Sequence, residues 1–561
     1  MRFVEMARAA GLVAVSLIAC GKAEETRFID LSLLVAPEYP CTWPEGFPEF
    51  RLEPVARVGR ESDYNIDTLI IDGNTGTQLD VPAHSVARPE LNLPHSSPMG
   101  NEFTEKVAAW KFCGEACVVD VPDLIEAGGK GTSALVKLDR VKRWEQAHRP
   151  AGAGDVFLFR SGYSDRFYRP LPEGRRFLAD PLERKAVAWP DPDPETMDYL
   201  ASRGVMHIGT DSPTMGPMPD LGEPVHFAAL KHGAVLTEGA TNLAELPKTG
   251  GFYCLLSPKH KDGPYGEARG FAIVGGDLPA WLIDAARRRR VADLSVTMSI
   301  DLPLTWPGAG VGRHRHRYTK TDFLWADNLQ LHHHGHVFDA HAGTHLVPPS
   351  YALPPEPLPA TAAGPETRAW LEEFETEFGP RGSSRVTTEQ VPIAQTCGWM
   401  RVVDVRHLAG TIGRDRWPAS PLVTVAELER FEARHGPIKP GEIVVLRTGH
   451  TDRFFLPRAA GSACLADPIN GKSEGWPALD AKAIAFLAER KVRCVATDAP
   501  TIGGVDPRTA LRAYWLLGGR GMVAVEFLTN LGALPEKAYL LFAAIKIRGC
   551  HGGPGRAIAL Y

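Results

Sequence analysis

The 561-residue sequence predicts an α/β protein of two homologous units that pack as a pseudo-dimer. Three observations carry that reading. Blocks of residues recur in order across the chain, which marks an internal duplication. Within each copy, short β-branched runs alternate with helix-like stretches. Finally, 55 glycines and 47 prolines supply turns for many short strands.

The repeat begins with Asp30-Leu31-Ser32, which returns as Asp293-Leu294-Ser295, and Thr42-Trp43-Pro44, which returns as Thr305-Trp306-Pro307, both shifted by 263 (from Asp30 to Asp293). Gly76-Thr77 returns as Gly343-Thr344 at 267, and Cys113-Gly114 with Val118-Val119-Asp120-Val121 as Cys397-Gly398 with Val402-Val403-Asp404-Val405 at 284. The surplus falls mainly over residues 366–382. Residues 157–162 then match 444–449, and Thr210-Asp211-Ser212-Pro213-Thr214 matches Thr497-Asp498-Ala499-Pro500-Thr501, both at 287. Glu238 with Thr241-Asn242-Leu243 matches Glu526 with Thr529-Asn530-Leu531 at 288. Seven blocks in order exclude coincidence. The division expected is a leader over 1–27, one unit over 28–287 and a second over 288–561. Two copies of one unit pack as a homodimer would, about a pseudo-twofold axis.

Residues 156–159 and 442–446 read as strands, and 423–434 as a helix whose first turn follows Thr424. Arg287-Arg288-Arg289-Arg290 at the boundary reads as a solvated linker, with a docking patch as the alternative. Sixty-two basic and 67 acidic residues leave a net charge of -5, which makes a nucleic-acid partner the weaker expectation and a small molecule the better one. No run of 18 apolar residues exists, so multiple membrane spans are excluded. The leader has Arg2 and Arg8 before an apolar stretch over 9–18, and ends in Leu17-Ile18-Ala19-Cys20, which resembles a bacterial lipobox. Export is the expectation, to the periplasm or as a lipoprotein anchored at Cys20. The other eight cysteines read as core thiols, with disulfides left open.

The chemistry concentrates in two places. His341-Ala342-Gly343-Thr344-His345 spaces two imidazoles around a glycine, as a metal pair often is. Asn74-Thr75-Gly76-Thr77-Gln78-Leu79-Asp80-Val81-Pro82-Ala83-His84 occupies the matching place in the first unit. Together they resemble the signature H-x-G-T-H-x-D-x-P-x-H of the cyclase superfamily, which includes bacterial kynurenine formamidase and isatin hydrolase. The resemblance spans nearly all of both units.

It implies a mixed, twisted β-sheet core flanked by helices, and a divalent ion, zinc or manganese, held by two motif His, the motif Asp and a distal His and Glu. The motif's last His stands by the metal as ligand or proton-transfer group. Carried onto this sequence, the first unit keeps Asp80, His84, His226 and Glu238, and has Asn74 and Gln78 at the two His positions. The second keeps His341, His345 and Glu526, but has Val347, Tyr351 and Tyr514 where the Asp, the last His and the distal His belong.

A glutamine retains an oxygen that can bind a metal, whereas a valine removes a charged ligand. The first unit is therefore the expected active site, with Gln78, Asp80, His84, His226, Glu238 and Asn74 around the ion and His84 or His226 moving protons. Its oxygen-rich set favours manganese, with zinc open. His341, His345 and Glu526 form a vestigial second site. The expected activity is hydrolysis of an N-formyl or cyclic amide by metal-activated water. Two rivals stay open: a depleted site that only binds a metabolite or metal, and one site composed across both units. Trp43 and Trp306 read as packing residues; the resemblance implies that their segment lies by an active-site entrance, with Trp306 as a lid on the first unit's site and Trp43 on the second's. His332, His334 and His336 would share one face of a strand, either gathering an ion or standing in solvent.

Overall fold

The computed structural model describes residues 25–44, 47–304, 318–324, 332–458 and 460–561. The leader through residue 24, with Cys20, and Trp306 lie outside them. In the first unit four parallel strands lie side by side: Cys113–Asp120, Asp155–Arg160, His207–Thr210 and Val235–Glu238. They are buried almost throughout because both faces are covered. Phe157 and Phe159 meet the helices Leu138–Ala147, Pro194–Ser202 and Gly222–Leu230, while Val156 and Leu158 meet the opposite core.

Antiparallel strands complete the sheet. Gln78–Asp80 pairs with Val235–Glu238 on one side and Tyr265–Glu267 on the other. At the far edge lie Gly251–Leu256, Arg269–Val274 and Arg27–Asp30. Tyr265–Glu267 and Arg269–Val274 are one bent stretch, interrupted only at Ala268, whose N–H donates to Thr77 O at 2.8 Å. The two edges of the sheet therefore meet through one chain segment. In the second unit that segment, Gly553–Leu560, is unbroken. It pairs with His345–Val347 through Gly553 and Pro554, and with Tyr539–Ala544 through residues 555–560. The expected twisted mixed sheet is present, and this bend curls it until it closes on itself.

The anticipated local elements appear: strands Asp155–Arg160 and Ile443–Arg447, and a helix Val425–His435 with Thr424 as its N-cap residue. The surplus of the second unit is a helix, Pro365–Phe378. The arginine run closes the helix Leu278–Arg287, and all four side chains are exposed, although Arg287 pairs with Glu115 and Asp155. All eight described cysteines are buried and unbridged. Among the described residues no helix is long and apolar enough to cross a membrane.

The units join through shared strands. Thr319–Leu324, His332–Asp339, Ile66–Asp72 and Arg51–Ala56 form one four-stranded sheet drawn from both. At its centre Ile70 pairs with Val337, its own counterpart at the shift of 267 (from Gly76 to Gly343), so the local dyad passes through this pair. The bridges Val35 to Ile547 and Met298 to His260 are dyad mates. So are two ion clusters. Asp30 binds Arg269 of its own unit and Lys546 of the other, while Asp293 binds Arg556 and Lys259. Burial raises both carboxyl pKa values, and the paired cations more than reverse this. Phe252, Leu255 and Phe271 of the first unit share one core with Tyr539, Leu541 and Ile558 of the second.

Candidate metal centre

The motif turn sets up the site. Asp72 Oδ1 accepts the Asn74 N–H at 2.8 Å, and Gly76 takes φ of +71°, where a Cβ would sit 2.8 Å from Val35 Cγ2. Asp339 and Gly343 repeat this in the second unit, with the His341 N–H on Asp339 Oδ1 at 2.7 Å. Both turns thus survive whichever residue stands at 74 or 341. After the turn, strand alternation points Gln78 and Asp80 to one face and Leu79 into the core. Cross-strand register places Glu238 directly opposite Gln78. His84 ends the short turn Pro82–His84, and His226 comes from the helix Gly222–Leu230.

Asp80, His84 and His226 present ligand atoms within 4.8 Å of one another, and all three are buried. His226 Nδ1 lies 2.7 Å from Gly222 O, an acceptor only, so that nitrogen carries the proton. The other nitrogen, Nε2, is 3.0 Å from Glu238 Oε1 and 3.3 Å from Asp80 Oδ2. A neutral ring would aim a lone pair at two carboxylates. A proton shared at that contact, or a metal ion, resolves it. In the metal-free protein the proton takes this place: the two carboxylates overcome burial and hold His226 well above its ordinary pKa. Asp80 is pushed up to about 7 by burial and by Glu238, while Glu238 is held down by His226, the Met215 N–H and Gln78 despite its own burial.

The remaining polar atoms fit a cation. Asp80 Oδ1 and Gln78 Oε1 are buried without hydrogen-bond partners, and Asp80 Oδ2 has only the His226 Nε2 contact at 3.3 Å. Gln78 Nε2 donates to Glu238 Oε2, which leaves the amide oxygen turned to the site. Glu238 Oε1 accepts from Thr214 Oγ1 at 3.0 Å and from the Met215 N–H at 2.5 Å. Glu238 therefore anchors Gln78 and His226 in place. Of the six residues expected around an ion, Gln78, Asp80, His84, His226 and Glu238 come together, and Asn74 lies in the turn, its backbone N–H on Asp72 Oδ1. Tyr265, opposite Asp80 on the neighbouring strand, was not anticipated; its ring meets His84 edge-on at 5.0 Å. Only its cross-strand register reveals it.

The second pocket keeps the same scaffold with different chemistry. Glu526 stands opposite His345, and accepts the Ile502 N–H at 2.7 Å just as Glu238 accepts that of Met215. Tyr514 donates its hydroxyl to Glu526 Oε1 at 2.6 Å, filling the place of His226. Tyr351 sits at the position of His84, 4.5 Å from the His341 ring, and Tyr64 of the first unit stacks on it at 4.8 Å. Burial, with Glu526 nearby, holds both Tyr351 and Tyr514 well above the ordinary phenol pKa, so neither serves as a base. Val347 supplies no ligand. Among the described residues no three metal-ligating groups converge here.

Trp43 is half-buried against an aromatic cluster shared by both units. The strand His332–Asp339 forms as anticipated, but His334 and His336 are not solvated: it lies between two other strands, and both side chains are buried.

The chain resembles known proteins along both units. Over 147 residues it is 36% identical to isatin hydrolase of Roseibium aggregatum, a match spanning 25% of this chain and 52% of that relative. Over 247 residues it is 28% identical to kynurenine formamidase of Erythrobacter litoralis, covering 44% of this chain and 93% of the relative. Among solved structures, isatin hydrolase A from Ralstonia solanacearum aligns with 22% identity and a TM-score of 0.38, over 51% of this chain and 98% of that one. The family model described as "Putative cyclase" matches twice, at residues 29–217 and 292–503. The chain belongs to this cyclase family, as two tandem copies.

Proposed function

We propose that the protein is a metal-dependent hydrolase of non-peptide amide bonds, with its working centre in the first unit. The observation that carries this reading is the convergence of Asp80, His84 and His226 around buried, unpartnered oxygens, against Val347, Tyr351 and Tyr514 in the second unit. Asp80 and His226 hold the ion, with the oxygens of Gln78 and Glu238 beside them. When bound, zinc or manganese supplies a Lewis acid that polarises the amide carbonyl and lowers the pKa of water. The oxygen donors favour manganese, and the His226 imidazole also suits zinc.

His84 stands between His226 and Tyr265, where its imidazole accepts the proton of the attacking water and returns it to the leaving nitrogen as the C–N bond breaks. Tyr351 cannot do this in the second pocket. The substrate class is an N-formyl arylamide or a cyclic arylamide, the chemistry shared by the relatives named kynurenine formamidase and isatin hydrolase.

The test is metal content and turnover of formanilides and isatin by wild type, Asp80→Asn, His84→Gln and His345→Ala. Expected are loss of one equivalent of metal and of turnover in Asp80→Asn, undiminished metal with kcat down on the order of 10²-fold or more in His84→Gln, and little change in His345→Ala. Metal that survives Asp80→Asn but not His345→Ala would place the centre in the second unit. Metal without turnover of either substrate class would favour the binding-only alternative.

A further inference from the structure

We propose that the chain holds a second divalent cation at the seam between its units, bound by His260 and Glu267 of the first and His336 of the second. Their ligand atoms lie within 4.8 Å of one another, and all three side chains are almost wholly buried. His260 Nε2 is 3.0 Å from Glu267 Oε1, and His260 Nδ1 is 3.1 Å from the Tyr318 hydroxyl. Glu267 Oε2 has no hydrogen-bond partner, and neither has either ring nitrogen of His336, at 2% exposure. The His260 and His336 rings stack at 3.9 Å with their planes 14° apart, so a shared ion requires one ring to turn out of the stack.

A buried carboxylate oxygen and a buried imidazole without partners are costly, and here they converge with a second imidazole. Two imidazoles and one carboxylate are a donor set that zinc takes readily. A Tyr318 hydroxyl on the far nitrogen of His260 is the outer partner a ligating histidine uses to fix its ring.

The dyad supplies a control within the same molecule. The counterparts of His260, Glu267 and His336 are Ile547, Pro554 and Leu69, all buried and apolar. The fold therefore packs this niche without polar groups, and the cluster on one side is not demanded by architecture. It is also distinct from the first centre. The Tyr265 ring separates them, 5.0 Å from His84 on one side and 4.6 Å from His334, the neighbour of His336, on the other.

The experiment uses the full chain, stripped by chelator and dialysed against zinc alone, with bound metal counted and cobalt(II) absorption as a second readout. Expected are two zinc ions per wild-type chain and one in Asp80→Asn. Adding Glu267→Gln to Asp80→Asn weakens that remaining site at least ten-fold. Adding His336→Leu, which copies the counterpart Leu69, does the same in a chain that keeps its circular dichroism. If wild type and Asp80→Asn each bind one ion, this seam site stands and the proposed first centre fails. If wild type binds one and Asp80→Asn none, the seam site is overturned. Zinc that survives both Glu267→Gln and His336→Leu overturns it as well.

Discussion

At the scale of single residues, the two units are each other's mutants. Tyr514 reaches Glu526 from the position at which His226 reaches Glu238. We expect His226→Tyr to fold, with Tm within a few degrees of wild type, and to lose metal affinity on the order of 10²-fold or more, since even outer partners of ligands are worth 10–100-fold; dialysis against zinc checks it. Another pair is Tyr163 and His450. The Tyr163 hydroxyl meets Phe177 O at 3.1 Å, and His450 Nε2 meets the equivalent Cys464 O at 2.8 Å. Burial lowers the His450 pKa to about 4. Between about pH 6.5 and 4 the unfolded chain binds a proton that the folded imidazole refuses, so this stability is fully present above 6.5 and is lost as pH falls, by up to ~3 kcal/mol. Thermal melts from pH 7 to 5 should show a shallower decline in His450→Tyr than in wild type. The aligned motifs made Gln78, Asp80, His84, His226 and Glu238 readable in the sequence. Glu267 and Tyr265 were not, because nothing in a sequence records which strand lies alongside Gln78–Asp80.

At the scale of elements, the surplus over 366–382 was visible as length but not as structure. It folds as Pro365–Phe378, with proline in the first turn, and buries Leu371 and Phe374 against the helix Pro507–Gly519, where Phe374 meets Trp515 at 5.4 Å. Its acidic face pairs Glu373 with Arg508 and Glu377 with Arg512. The first pair is exposed and adds little, and the second is half-buried; the aromatic contact dominates. Phe374→Ala should cost about 3–5 kcal/mol, seen as a lower urea midpoint with unchanged m-value. The histidine strand teaches the complementary lesson. Its alternation was legible, but its burial depends on Ile66–Asp72, some 260 residues away in sequence, so a local reading weighed an ion site against a solvated strand and did not foresee the core.

At the scale of the whole molecule, the two curled sheets do not form separable domains. One apolar core and one four-stranded sheet contain residues of both, and each ion cluster crosses the seam. We expect a single calorimetric transition, with calorimetric and van't Hoff enthalpies in agreement; two resolved transitions would show the units melting independently. The duplication was plain in the sequence as ordered blocks, and the pseudo-dimer followed from it. The closure of each sheet was not, because it turns on one bend, at Ala268 in one unit and past Pro554 in the other.

The central pair of Ile70 and Val337 has a practical corollary. In an ordinary homodimer a reporter placed on the symmetry axis appears twice and reads both halves as an average. Here the two sides of the axis carry different side chains on one polypeptide, so a lone label at either position addresses one side, without purifying hybrid assemblies.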